Sequence, residues 1–165
     1  MAIPFNADEV LKIAEQIERN GVEFYRRAAE KSAFAAERRL LEDLAQMEER
    51  HEKVFAAMRE DLSEEERAST VFDPEGEADL YLKAVADGNV FNLKAGAADP
   101  GGDKSLEDIL RIAIGMEKDS IVFYTTMSGF VPPRLGREKI MEIIGEEQKH
   151  IGMLGAVLRS LKTGD

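Results

Sequence analysis

The chain has 165 residues, 33 acidic against 22 basic, and a formal net charge of −11; that balance argues against nucleic-acid partners and against adhesion to anionic membranes. It contains no cysteine, which removes disulfides, thiolate catalysis, zinc ribbons and cysteine-bound iron and leaves oxygen and nitrogen as the only ligands for a metal. A single domain over residues 1–165 is expected from the length, and the abundance of Ala, Leu, Ile, Glu, Lys and Arg with five prolines points to an all-α fold.

The first residues show no basic segment followed by an apolar run, and no stretch approaches about 18 apolar residues. A soluble, cytoplasmic protein is therefore expected. Asn6 opens a capping-box signal with Glu9 and predicts a helix over 7–31. Its heptad-like stripe reads Leu11, Ala14, Glu18, Gly21, Tyr25, Ala28, which puts Glu18 in the middle of the face that should be buried. Ser32 is the expected cap of a second helix over about 33–61, whose stripe Leu41, Leu44, Glu48, His51, Phe55, Met58 is interrupted by a polar pair. Together they make a first hairpin, 7–61.

From 62 to 104 the periodicity weakens. Ser63-Glu64-Glu65-Glu66 resembles a capping box, Pro74 interrupts, a short helix is expected near 77–86, and a flexible Gly101-Gly102 pair follows. A connection this long can traverse a whole bundle, so the helices on either side of it can lie parallel. Ser105 then opens a third helix, about 105–128, with the stripe Leu110, Ala113, Glu117, Ser120, Tyr124, Met127, ended by Gly129 and Pro132-Pro133. A fourth helix over about 134–161 carries Ile140, Ile143, Glu147, His150, Leu154, Val157, and closes a second hairpin, 105–161. Its glycines Gly145, Gly152 and Gly155 suggest close approach by a neighbouring helix, Gly164 marks a frayed end, and Arg134 and Arg137 read as solvent-facing charges.

The two hairpins repeat each other at an offset of 99 residues: Glu18 pairs with Glu117, Phe24-Tyr25 with Phe123-Tyr124, Glu48 with Glu147, and His51 with His150, the two histidines of the sequence. In each half the single Glu precedes a Glu-x-x-His by 30 residues, and a turn signal lies at the midpoint. At 1.5 Å per residue both members stand roughly 22 Å from the turn and meet across an antiparallel hairpin. Within Glu-x-x-His the carboxylate and the imidazole share one helix face and can reach one ion.

One such motif in an acidic chain is commonplace. Four carboxylates and two imidazoles level with one another on apolar stripes are not, because a buried unpaired carboxylate costs several kcal/mol. Two divalent cations would balance the four carboxylates and bring the net charge from −11 to about −7. A Glu from each of two helices with Glu-x-x-His from each of the other two is the ligand pattern of the carboxylate-bridged di-iron and di-manganese bundles. The expected metal ligands are Glu18, Glu48, His51, Glu117, Glu147 and His150. Tyr25 and Tyr124, on the same stripes, read first as core packing; the alternative is that their hydroxyls bond ligand carboxylates.

With the tandem duplication and both tyrosines seven residues after their glutamates, residues 7–61 and 105–161 resemble the rubrerythrin branch of the ferritin-like superfamily. The resemblance implies a ferritin-like four-helix bundle of two hairpins joined by a long crossover. It also implies two iron ions, with manganese or a mixed pair also suited to the ligands. Glu48 and Glu147 would bridge, Glu18 and Glu117 bind terminally, and His51 and His150 complete one ion each. The implied activity is a non-haem di-iron peroxidase acting on hydrogen peroxide or dioxygen.

Two features depart from that family. No rubredoxin domain with its four cysteines is present, so an external donor such as a rubredoxin is expected. Ser120 stands where the family has an extra carboxylate, with Asp119 turned about 100° away on the helix. The alternatives are ferritin-like Fe(II) oxidation and a metal-stabilised sensing or interaction module acting through 62–104. A homodimer is expected.

Overall fold

A computed structural model describes residues 6–68, 75–86, 104–135 and 137–163. Residues 1–5, Pro74, the Gly101-Gly102 pair and Gly164 lie outside them. The described chain is helical, with α1 Ala7–Lys31, α2 Ala35–Glu60, α3 Glu64–Ala68, α4 Glu77–Ala86, α5 Leu106–Met127 and α6 Arg137–Thr163.

Local signals account for most boundaries. Asn6 and Glu9 form the expected capping box, each side chain bonding the other's backbone N–H at 3.0 Å. Ser105 and Asp108 repeat it at 3.1 and 3.2 Å, and Ser63 and Glu66 at 2.8 and 3.2 Å start α3. The expected cap of α2 fails. Ser32 is extended and closes α1, its hydroxyl donating to Glu37 at 3.1 Å. Helix α2 instead starts after Phe34, which offers no side-chain acceptor. The fourth helix also starts later than the sequence suggests. Pro133 cannot supply a backbone donor, so Pro133–Leu135 forms a 3-10 turn before α6 begins at Arg137.

The helices bury their predicted stripes in two apolar clusters. One gathers Leu11 and Ala14 of α1, Phe55 and Met58 of α2, Tyr124 and Met127 of α5, and Ile140 and Ile143 of α6. The other gathers Tyr25 and Ala28, Leu41 and Leu44, Leu110 and Ala113, and Leu154. The end of α2 thus lies beside the end of α5, and the start of α2 beside the start of α5. The two helices are parallel, as a bundle-length crossover requires, and α1 runs antiparallel to α5.

The crossover helices are docked. Leu82 and Val85 of α4 are fully buried in the first cluster. Arg67 of α3 pairs with Asp8 and donates to the Arg59 carbonyl at 2.7 Å. Arg134 is exposed, as expected, yet it pairs with Glu66, its Nε lying 2.6 Å from Oε1. Removing α4 would therefore uncover part of the first cluster.

Among the described residues, no helix closely approaches the glycines of α6. A Cβ at Gly145 or Gly152 would meet nothing within 4 Å, and at Gly155 it would meet only the tip of Arg159 at 3.8 Å. Close approach occurs at Gly21 of α1, where a Cβ would lie 3.1 Å from Cγ of Glu48.

Phe55 is fully buried and packs against Tyr124 with ring centroids 5.0 Å apart. Phe55→Ala should cost about 3–5 kcal/mol, read as a lowered midpoint in denaturant unfolding of the metal-free chain.

Candidate metal centre

Between the two apolar clusters lies a polar layer built from all four long helices. Glu18 comes from α1, Glu48 and His51 from α2, Glu117 from α5, and Glu147 and His150 from α6, every one of them buried. All six residues expected from the sequence are thereby brought together. Their ligand atoms fall into two groups, each with atoms within 4.8 Å of one another: Glu18, Glu48, His51 and Glu147, and Glu48, Glu117, Glu147 and His150. Glu48 and Glu147 are common to both.

The shared carboxylates divide their oxygens. Nδ1 of His51 is 3.0 Å from Oε1 of Glu147 and 3.3 Å from Oε2 of Glu48. Nδ1 of His150 is 2.9 Å from Oε2 of Glu147 and 3.3 Å from Oε1 of Glu48. Each shared Glu therefore offers one oxygen to either side. Glu18 joins the His51 side at 3.6 Å and Glu117 the His150 side at 3.4 Å. The imidazoles face each other at 5.9 Å, their planes nearly parallel at 16°.

Buried polar atoms without hydrogen-bond partners concentrate in this layer: Oε1 of Glu48, both oxygens of Glu147, Nδ1 of His51 and both ring nitrogens of His150. An unpaired buried polar atom costs about 1–3 kcal/mol, and a carboxylate more. Divalent cations would satisfy these atoms, since mixed carboxylate and imidazole ligation suits iron or manganese. The donor set fits such a pair.

Without metal the layer holds protons. Burial, with the charge of Glu48 adding to it, raises the carboxyls of Glu18 and Glu117 well above the ordinary range. Burial also opposes ionisation of Glu48 and Glu147, but the two imidazoles beside them outweigh it and these two are lowered. Burial likewise disfavours a charged imidazole, yet the surrounding carboxylates raise His51 and push His150 up to about 12.

The tyrosines do more than pack. The Tyr25 hydroxyl donates to Glu117, and the Tyr124 hydroxyl donates to Glu18, each reaching from one hairpin into the other. Burial, then the charge of the bonded Glu, holds both phenols well above their usual range, so they stay protonated donors. Of the two readings open from the sequence, packing alone is therefore insufficient. Ser120 sends its hydroxyl back to the Met116 carbonyl at 3.0 Å. Asp119 belongs to neither ligand group.

Sequence reasoning missed Glu146, whose Oε2 lies 2.8 Å from Nε2 of His51, and the room that Gly21 leaves for Glu48. Glu146 stands beside Glu147 in the motif, but its partner is on another helix, so only the register between α2 and α6 could have revealed it.

Comparison with known proteins agrees with this geometry. Residues 3–59 match the family model of rubrerythrin. A crystal structure from Thermotoga maritima, described as a ferritin-like diiron-carboxylate protein, superposes with a TM-score of 0.70 at 22% identity, covering 94% of this chain and 96% of that one. No curated protein sequence matched. The fold is ferritin-like, and the first hairpin is similar to that of the rubrerythrins; the resemblance read from the motifs stands. Among the described residues no helix is long and apolar enough to cross a membrane.

Two predictions follow from the protonation pattern and the tyrosines. Each ion must displace at least the proton of its imidazole, so affinity should rise about tenfold or more per pH unit through neutrality, measured by competition titration with Co(II) between pH 6 and 8. Tyr25→Phe should weaken metal binding about 10- to 100-fold while the helical circular dichroism is kept.

Proposed function

We propose that the protein is a non-haem di-iron oxidoreductase that reduces hydrogen peroxide to water, with electrons from an external donor protein such as a rubredoxin. The observation that carries this reading is the division of Glu48 and Glu147 between the two histidines, the arrangement two bridging carboxylates need. In it Glu18 and His51 complete one ion's ligands, and Glu117 and His150 the other's.

A bound iron pair would supply two electrons and open coordination positions for a peroxide; two protons and those electrons turn one peroxide into two waters. The chain supplies the rest. The apolar clusters on both sides exclude bulk water and strengthen the local electrostatics. Tyr25 and Tyr124 hold Glu117 and Glu18 in orientation and keep phenolic protons within the layer. The fully buried His150 and nearly buried His51 are constrained by packing to face the shared carboxylates.

Fe(II) oxidation by dioxygen is the second reading, favoured by Ser120. Its short hydroxyl, turned onto its own helix, leaves six ligands and no additional carboxylate to exchange during turnover. The setting proposed is cytoplasmic, as a homodimer.

The test is anaerobic loading with Fe(II), then peroxide with a reducing system. We expect about two irons per chain and peroxide turnover well above that of free iron, lost in Glu147→Ala. Turnover no faster than free iron would reject the peroxidase reading, and many irons per chain in a large shell would favour iron storage.

A further inference from the structure

The two halves of the metal layer differ in what stands behind their histidines. Behind His51 is Glu146, 2.8 Å from Nε2. A carboxylate accepts hydrogen bonds, so Nε2 carries a proton and donates it, which leaves Nδ1, the ring atom facing Glu147, Glu48 and Glu18, as the one free to bind an ion. Flipping the ring would break that bond. His150 presents Nδ1 to its carboxylates in the same way, but its Nε2 is buried with no hydrogen-bond partner among the described residues. The repeat accounts for the difference, because the residue 99 positions before Glu146 is Met47, a half-buried thioether that cannot act as a strong acceptor.

Glu146 also marks the side of the layer nearest solvent. Its side chain is 39% exposed and, with His51, Arg50, Lys53 and Ile143, lines a cleft of about 470 Å³ between α2 and α6. The neighbour of His51 is thus partly exposed at the mouth of a cleft, whereas His150 is sealed.

Resting on the di-metal reading above, we propose that Glu146 is a positioning residue that fixes the tautomer and orientation of His51. The Glu146/Met47 difference then makes the pair inequivalent, the ion at His51 being held more tightly than the ion at His150. A carboxylate behind a ligating imidazole raises its basicity, and its loss typically costs 10- to 100-fold in affinity.

The experiment is stepwise titration of the metal-free full-length chain with Zn(II), followed by calorimetry and by 15N resonances of the two histidines. In the natural chain we expect two binding steps, with Nδ1 of His51 responding in the first while its Nε2 keeps a proton. Glu146→Met, which copies the other half, should weaken the first step about 10- to 100-fold and leave the second unchanged. Glu146→Gln, whose amide oxygen still accepts from Nε2, should recover most of the loss and keep the Nε2 proton, while Glu146→Met loses the 15N signature of that protonated Nε2, a change that a merely steric role would not produce. Met47→Glu should tighten the second step. Two steps of unchanged affinity in Glu146→Met, or no recovery in Glu146→Gln, would overturn the proposal while leaving the di-metal reading intact. Failure of the natural chain to bind two ions would instead overturn the di-metal reading itself.

Discussion

Everything in this bundle answers to one electrostatic constraint: four carboxylates and two imidazoles occupy a single layer with almost no access to water. Left bare and ionised, the carboxylates would repel one another in a low-dielectric interior. Without metal the protein resolves this with protons, kept on Glu18 and Glu117 by burial and on both histidines by the carboxylates around them, while Glu48 and Glu147 remain charged between the imidazoles. Charge is nearly balanced within the layer, but hydrogen-bonding capacity is not, since six atoms of Glu48, Glu147 and the two histidines have no partner. The apolar clusters above and below hold this costly arrangement in place, so the energy to maintain the site comes from the ordinary burial of residues such as Leu44, Phe55, Leu110 and Ile140.

The duplicated halves meet the constraint with the same ligands and with different supports. At Gly21 the chain gives up a side chain because Glu48 occupies the space; the related position in the second half is Ser120, whose hydroxyl bonds its own helix. At Glu146 the second half supplies a carboxylate to His51, where the first half supplies Met47. Neither difference touches the ligand count. Both change what stands beside a ligand of the layer.

Much of the site was legible because its signals are local or periodic. Glu18 and Glu117 on apolar stripes, Glu-x-x-His on the partner helix, and a turn at the midpoint of each 30-residue interval fix which residues meet. The capping boxes at Asn6 and Ser105 are equally local. What could not be read are relations between helices. A stripe says which face is buried, not which atom lies opposite, so the choice of Glu117 as the partner of Tyr25, and the bond of Glu146 to His51, stayed invisible. The start of α2 was misplaced for a related reason: Ser32 has the chemistry of a cap, but its hydroxyl is engaged by Glu37 as part of the end of α1. The α6 glycines misled because low helix propensity admits several explanations, and packing is only one.

The crossover, weakest in sequence signal, has the largest effect on the site. Its length lets α2 and α5 run parallel, which makes α1 antiparallel to α5. Tyr25 lies seven residues beyond Glu18, and Tyr124 seven beyond Glu117, so each stands about 10 Å along its helix from its own carboxylate. With α1 and α5 antiparallel, those displacements point to opposite ends of the layer. Tyr25 accordingly packs in one apolar cluster and Tyr124 in the other, and each reaches across to the carboxylate of the opposite hairpin. A short loop in place of the crossover would have made α1 and α5 parallel and put both tyrosines at one end, leaving the other end of the layer without a donor. Enclosure of the site from both sides is therefore a consequence of topology, imposed by the length of a connection.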